Sequence, residues 1–86
     1  MAAMNINAKQ YEELILGNKP ILVDFWAPWC TYCRRINPAL DRIADSREDI
    51  LVVKVNIDEE PDLARREQIE VIPTLVVYKE GFDLGS

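Results

Sequence analysis

Cys30 and Cys33 are the only cysteines of the 86-residue chain, and two residues separate them in the stretch WAPWCTYC. Two thiols at this spacing can react as a dithiol–disulfide pair, supply half of a zinc site, or form a structural disulfide. A structural disulfide is disfavoured, because closing so short a loop constrains the unfolded chain little. The chain has no histidine, so a four-ligand zinc site in one chain would need carboxylates, an uncommon structural set.

The segments around the pair favour redox chemistry over metal binding. The run ILVDFW at 21–26 is short and almost continuously apolar, which is typical of a strand buried on both faces. From Cys30 onward, apolar residues recur every three or four positions, so we predict a helix with Cys33 facing the core and Cys30 at its N-terminus. Pro38 should kink this helix rather than end it, because the apolar stripe resumes beyond it. A C-x-x-C motif at a strand-to-helix turn is typical of a redox site.

The position of Cys30 predicts a stabilised thiolate. Unpaired backbone N–H groups and the helix dipole favour the charged sulfur, so we expect a pKa below the usual value of about 8.5. A pKa of about 7 would speed attack only about threefold, because a more stable thiolate is a weaker nucleophile. The larger consequence is that a stable thiolate is also a good leaving group, so the pair can exchange in both directions.

The predicted cycle needs an acceptor for a proton. Cys30 would attack a substrate disulfide, and Cys33 would then resolve the mixed disulfide after losing its proton in an apolar place. Asp24 is the one charged residue in the buried strand, and burial should raise its pKa into a useful range. The alternative is that Asp24 stands at a strand end and reaches water.

The remaining patterns complete a single α/β domain over residues 1–86, with at least the early strands parallel. A capping box at Asn7 and Gln10 begins the first helix, and Pro61 begins a short later one. The elements predicted besides the redox segment are an edge strand near residue 4, a helix over 8–16, strands at 50–57 and 74–78, and a helix from Pro61 to Gln68.

Composition argues against several partners. The net charge is −5 and the arginines form no basic face, so binding to a phosphate backbone has little electrostatic support. The longest apolar stretches are far shorter than the ~20 residues that span a bilayer, and no basic segment precedes an apolar run at the N-terminus. We therefore expect no nucleic-acid or membrane partner and a cytoplasmic location, unless a leader has been removed.

Four separated features resemble the thioredoxin family and occur in its order: VDFWAPWCTYC at 23–33, Pro38, KVNID at 54–58 and IPT at 72–74. The resemblance covers the chain from about residue 5 onward. It implies a thioredoxin-like fold, with a mixed central sheet flanked by helices. It also implies a protein-disulfide reductase without a bound cofactor, which acts on protein disulfides and is reduced by a thioredoxin-reductase-like donor.

The resemblance also implies roles for particular residues. Cys30 would be the nucleophile, Cys33 the resolving thiol, Asp24 the buried carboxylate and Lys54 its partner, although a strand lysine can also extend its ammonium to solvent. Trp26 is expected to lie largely in the core. The residues expected to contact substrate are Trp29, Thr31, Tyr32, Ile72 and Pro73, with Pro73 in the cis form and the backbone of Ile72 pairing with an extended peptide.

Two features depart from the family pattern. Thr31 and Tyr32 replace the usual Gly-Pro between the cysteines, so we expect a less reducing couple, nearer about −200 to −230 mV than thioredoxin's ~−270 mV. The chain also ends where the family continues with most of a last strand and a C-terminal helix. We therefore expect either a fragment of a longer protein or self-association over the exposed sheet face.

Three other functions stay open on the sequence. The same cysteines in two chains could bridge a metal or an iron–sulfur cluster, which would make the protein a carrier. A disulfide oxidase or isomerase is the nearest enzymatic variant, although such pairs commonly have a histidine between the cysteines. A thioredoxin-like binding module with vestigial redox activity is the third, and the intact motif argues against it.

Overall fold

The computed structural model describes residues 3–85. Every predicted element is present there, with ends that differ from prediction by one or two residues. In chain order the elements are β1 (Met4–Asn5), α1 (Ala8–Leu14), β2 (Ile21–Trp26), α2 (Thr31–Ser46), β3 (Leu51–Asn56), α3 (Pro61–Arg66), β4 (Thr74–Lys79) and β5 (Phe82–Gly85).

The strands form one five-stranded mixed sheet in the order β1-β3-β2-β4-β5. β3 pairs in parallel with both β1 and β2, whereas β4 runs antiparallel to β2 and β5 antiparallel to β4. The carboxyl ends of the three parallel strands therefore meet at one edge of the sheet. The chain leaves β2 at this edge and enters α2, which places the two cysteines there.

The alternation of side chains along each strand divides the sheet into two faces. One face packs with α1 and α3 into the main apolar cluster, which contains no residue of α2. The opposite face carries Asp24 and Lys54, and α2 covers it with the buried Cys33 and Leu40. The main cluster consists of Ile6, Tyr11, Ile21, Val23, Phe25, Val53, Val55, Leu63, Val76 and Tyr78.

Helix α1 begins with the predicted capping box, and helix α2 begins directly after Cys30, as predicted. The Asn7 side chain accepts a hydrogen bond from the Gln10 backbone N–H at 2.8 Å, and the Gln10 side chain accepts one from the Asn7 N–H at 2.9 Å. α2 continues through Pro38 without a break. Its predicted apolar stripe is less complete, since Ile43 is 36% exposed.

The hydrogen bonds that join two tyrosines of the main cluster to Glu67 were not predicted. The hydroxyls of Tyr11 and Tyr78 donate to the same carboxylate oxygen of Glu67, at 2.9 and 3.0 Å. The two rings meet edge to face, with centroids 5.5 Å apart. This arrangement buries two aromatic rings and satisfies both hydroxyls with one acceptor.

The last hairpin turns through Glu80 and Gly81, which both have positive φ (54° and 85°), as a two-residue turn between antiparallel strands requires. β5 follows, and its side chains Phe82 and Leu84 are 71% and 60% exposed. Self-association over this part of the sheet stays a prediction. Within residues 3–85, no helix combines the length and the apolar character that crossing a membrane requires.

Candidate active site

Cys30 is the N-cap residue of α2. Its backbone is extended (φ −86°, ψ 106°), and its sulfur accepts a hydrogen bond from the Cys33 backbone N–H at 3.1 Å. The two cysteines are joined by a disulfide, with their Cα atoms 5.2 Å apart. A sulfur that caps a helix faces unpaired N–H groups and the positive end of the helix dipole, so this position stabilises negative charge on Cys30.

The two sulfurs differ in their access to solvent. Cys30 is 8% exposed and Cys33 is 1% exposed, so an incoming group reaches Cys30 first. The Cys30 sulfur lies 3.8 Å from the carbonyl oxygen of Ile72. The peptide bond between Ile72 and Pro73 is cis, as the resemblance implies. The backbone of the segment before β4 therefore lies against the Cys30 sulfur.

Exposed apolar side chains surround the outer cysteine. Trp29 and Tyr32 are 66% and 64% exposed, and Val71, beside Ile72, is 74% exposed. Thr31 is also exposed, and Ile72 and Pro73 are half-buried. Trp29, Thr31 and Tyr32 lie within two positions of Cys30 in the chain, and the Ile72 carbonyl, which precedes Pro73, contacts the Cys30 sulfur.

The site includes two residues that the sequence reasoning missed. The Trp29 indole N–H donates to both carboxylate oxygens of Asp58, at 3.1 and 3.3 Å. Asn56 in turn accepts a hydrogen bond from the Asp58 backbone N–H at 2.9 Å. Both residues stand at the carboxyl end of a parallel strand, the edge at which α/β sheets commonly place their sites, and this position could have identified them.

Asp24 is completely buried, so the alternative of a water-exposed strand end is wrong. Among residues 3–85, neither carboxylate oxygen has a hydrogen-bond partner. Burial raises the pKa of Asp24 to about 6, against the opposing effect of the Lys54 charge. A carboxyl group with this pKa can exchange a proton near neutral pH, and it lies on the sheet face that α2 covers with Cys33.

Lys54 stands directly opposite Asp24 in the pairing of β2 with β3, and it is only 9% exposed. Its ammonium lies 4.7 Å from the centre of the Trp26 ring, so the solvent-extended alternative is wrong. Trp26 is itself half-buried and lies outside the main cluster, contrary to expectation. The indole N–H of Trp26 donates to the side-chain oxygen of Asn5 at 2.8 Å, a contact that no sequence pattern indicated.

Metal binding by a single chain is not favoured. Across residues 3–85, no three or more His, Cys, Asp or Glu side chains converge closely enough to hold a metal ion. The cysteines instead have each other as partners.

A mixed sheet with a C-x-x-C pair at the mouth of the helix after β2, and a cis-proline segment beside it, defines a thioredoxin-fold disulfide protein. The family model described as Thioredoxin matches residues 2–85. The chain belongs to the thioredoxin family, a family of thiol–disulfide oxidoreductases.

Individual relatives agree with this assignment. Thioredoxin 1 of Synechococcus elongatus is 45% identical over 82 residues, which cover 94% of this chain and 77% of that protein. Thioredoxin of Pyropia yezoensis is 49% identical over 71 residues, covering 81% of this chain and 66% of that protein. The crystal structure of Malassezia sympodialis thioredoxin superposes with a TM-score of 0.91 at 30% identity, over 99% of this chain and 79% of that one.

Proposed function

We propose that the chain reduces disulfides in other proteins by dithiol–disulfide exchange through Cys30 and Cys33. The observation that carries the proposal is the Cys30 sulfur at the N-cap of α2, where it accepts the Cys33 backbone N–H at 3.1 Å. The same contact would stabilise a Cys30 thiolate as attacking group and as leaving group.

The reaction has two displacements. The Cys30 thiolate attacks one sulfur of the substrate disulfide, whose S–S bond breaks, and the released substrate thiolate takes up a proton. Cys33 then loses its proton and attacks the Cys30 sulfur, which forms the intramolecular disulfide and releases the second substrate thiol. Two electrons pass to the substrate in each cycle, so a dithiol donor of the thioredoxin-reductase kind must restore the reduced pair.

In this proposal Asp24 accepts the Cys33 proton. Its complete burial, the lack of a hydrogen-bond partner for its oxygens within residues 3–85, and its pKa of about 6 support the role, because such a carboxylate gains stability when protonated. The positive charge of Lys54 opposes the rise in that pKa, and at a pKa of about 6 most of the carboxylate is ionised at neutral pH, ready to accept a proton.

The substrate would dock as an extended peptide across the exposed end of the site. Trp29, Thr31 and Tyr32 offer an aromatic and hydroxyl surface beside Cys30. The backbone of Ile72, held by Pro73, would pair with the peptide next to its reacting sulfur, and its position 3.8 Å from the Cys30 sulfur supports this.

We place this electron-transfer activity in the cytoplasm. A dithiol donor works where the surrounding thiol pool keeps it reduced, and the cytosol provides such a pool. Fractionation with an antibody against the chain tests the location, and recovery in an oxidising compartment would contradict it.

A disulfide-reduction assay with Cys30→Ser and Cys33→Ser tests the assignment of roles. We expect both variants to lose turnover and only Cys33→Ser to accumulate a covalent substrate adduct. Ser46→Ala, at the far end of α2, is the control and should retain turnover. An adduct on Cys30→Ser would reverse the order of attack, while iron and visible absorbance in the purified protein would support the bridged-cluster alternative.

A further inference from the structure

Three polar side chains form a row across three neighbouring strands, and the buried carboxylate of Asp24 is one end of that row. Asn5 of β1 stands opposite Lys54 of β3, which stands opposite Asp24 of β2. Residues directly opposite each other in a sheet project from the same face, so these three side chains share the face that α2 covers. Trp26 lies on that face too, two residues beyond Asp24.

Trp26 contacts both Asn5 and Lys54. The indole N–H of Trp26 can only donate, and it donates to the Asn5 side-chain oxygen at 2.8 Å. The Lys54 ammonium lies over the same indole ring, 4.7 Å from its centre. In the described part of the chain, both Asp24 oxygens are without a hydrogen-bond partner, so Lys54 lies against the ring and donates no hydrogen bond to the carboxylate.

We propose that Asn5 is a positioning residue for the proton acceptor: by holding the Trp26 ring, it keeps the Lys54 ammonium over that ring and out of hydrogen-bond contact with Asp24. A direct ion pair would stabilise the ionised carboxylate and make it a weaker base for Cys33. The inference rests on the role of Asp24 proposed above. It gives the two-residue edge strand β1 a part in the chemistry.

The groups that face Asp24 make its titration a specific measure of this arrangement. Lys54 is the charged neighbour, from β3, and β4 places the apolar Leu75 opposite Asp24. The inward side of α2 contributes Cys33, which does not titrate while it is disulfide-bonded. In the oxidised protein, the titration of Asp24 therefore reports on the distance and direction of the Lys54 charge.

The experiment is a pH titration of the Asp24 side-chain carboxyl carbon by ¹³C NMR on the oxidised protein, with Asp24→Asn to assign the signal. We expect Asn5→Ala to lower the midpoint by about 1 pH unit, because Lys54 becomes free to pair with the carboxylate. Met4→Ala alters the other residue of β1, which is 60% exposed, and should leave the midpoint unchanged.

Trp26→Phe supplies the second arm, because it keeps a ring but removes the N–H that Asn5 holds. In that background Asn5→Ala should cause no further change, as expected for residues that act through one contact. The proposal would be overturned by a midpoint that stays or rises in Asn5→Ala, or by an equal fall in Met4→Ala. It would also be overturned if Asn5→Ala lowered the midpoint equally in the Trp26→Phe background. The titration involves no turnover, so this failure is distinct from failure of the exchange reaction, which the cysteine variants test.

Discussion

The buried carboxylate should make the oxidised protein less stable at neutral pH than a neutral side chain would. The ordinary pKa of an aspartate, 3.8, rises to about 6 for Asp24 in the folded protein. Folding therefore favours the protonated form. The stability that this proton contributes is fully present below pH 3.8 and is lost as the pH rises from there through about 6. The gap between the two values, at about 1.36 kcal/mol per pH unit, corresponds to about 3 kcal/mol.

Asp24→Asn tests this value, because its amide has the shape of the neutral acid and does not titrate. From linkage, its free energy of unfolding minus that of the natural chain should grow by about 1.3 kcal/mol between pH 5 and pH 7. The measurement is urea unfolding of the oxidised proteins at pH 5, 6 and 7, followed by tryptophan fluorescence. Glu59→Gln removes an exposed negative charge and serves as the control. A difference between Asp24→Asn and the natural chain that is constant across this range would refute the reasoning.

The other expectations concern the core, the redox couple and the assembly state. Glu67→Leu removes the acceptor shared by two buried tyrosine hydroxyls and should lower the free energy of unfolding by about 2–4 kcal/mol in urea, whereas Glu70→Leu, at an exposed position, should change it by less than about 0.5 kcal/mol. Equilibration with glutathione should give a potential of about −200 to −230 mV, and a value at or below ~−270 mV would contradict the expectation drawn from Thr31 and Tyr32. Sedimentation should show concentration-dependent association that Phe82→Ser weakens, and a dilute, stable monomer would count against self-association.

The sequence predicts those parts of the fold that depend on local pattern. The strand at 21–26, the capping box at Asn7 and the helix that begins after Cys30 all follow from spacing and residue type, and all are present. The order of the strands in the sheet is harder to predict from the sequence, because it depends on contacts between segments that are distant in the chain.

Most of the missed features are side-chain contacts between positions that are distant in the sequence. Asn5 and Trp26 are 21 positions apart, and Tyr11 and Glu67 are 56 apart, so no periodicity could pair them. Trp26 was expected in the core because large aromatic residues are usually well buried. It is instead half-buried, with its ring centre 4.7 Å from the Lys54 ammonium and its N–H donated to the Asn5 side-chain oxygen.

The N-cap hydrogen bond of α2 does not involve the two side chains that lie between the cysteines. The hydrogen bond to the outer sulfur comes from the main chain of the inner cysteine, so neither Thr31 nor Tyr32 is needed to make it. Both intervening side chains point outward and are free to vary without dismantling the start of the helix. Substitutions at these two positions should therefore leave the contact between the Cys33 N–H and the Cys30 sulfur in place.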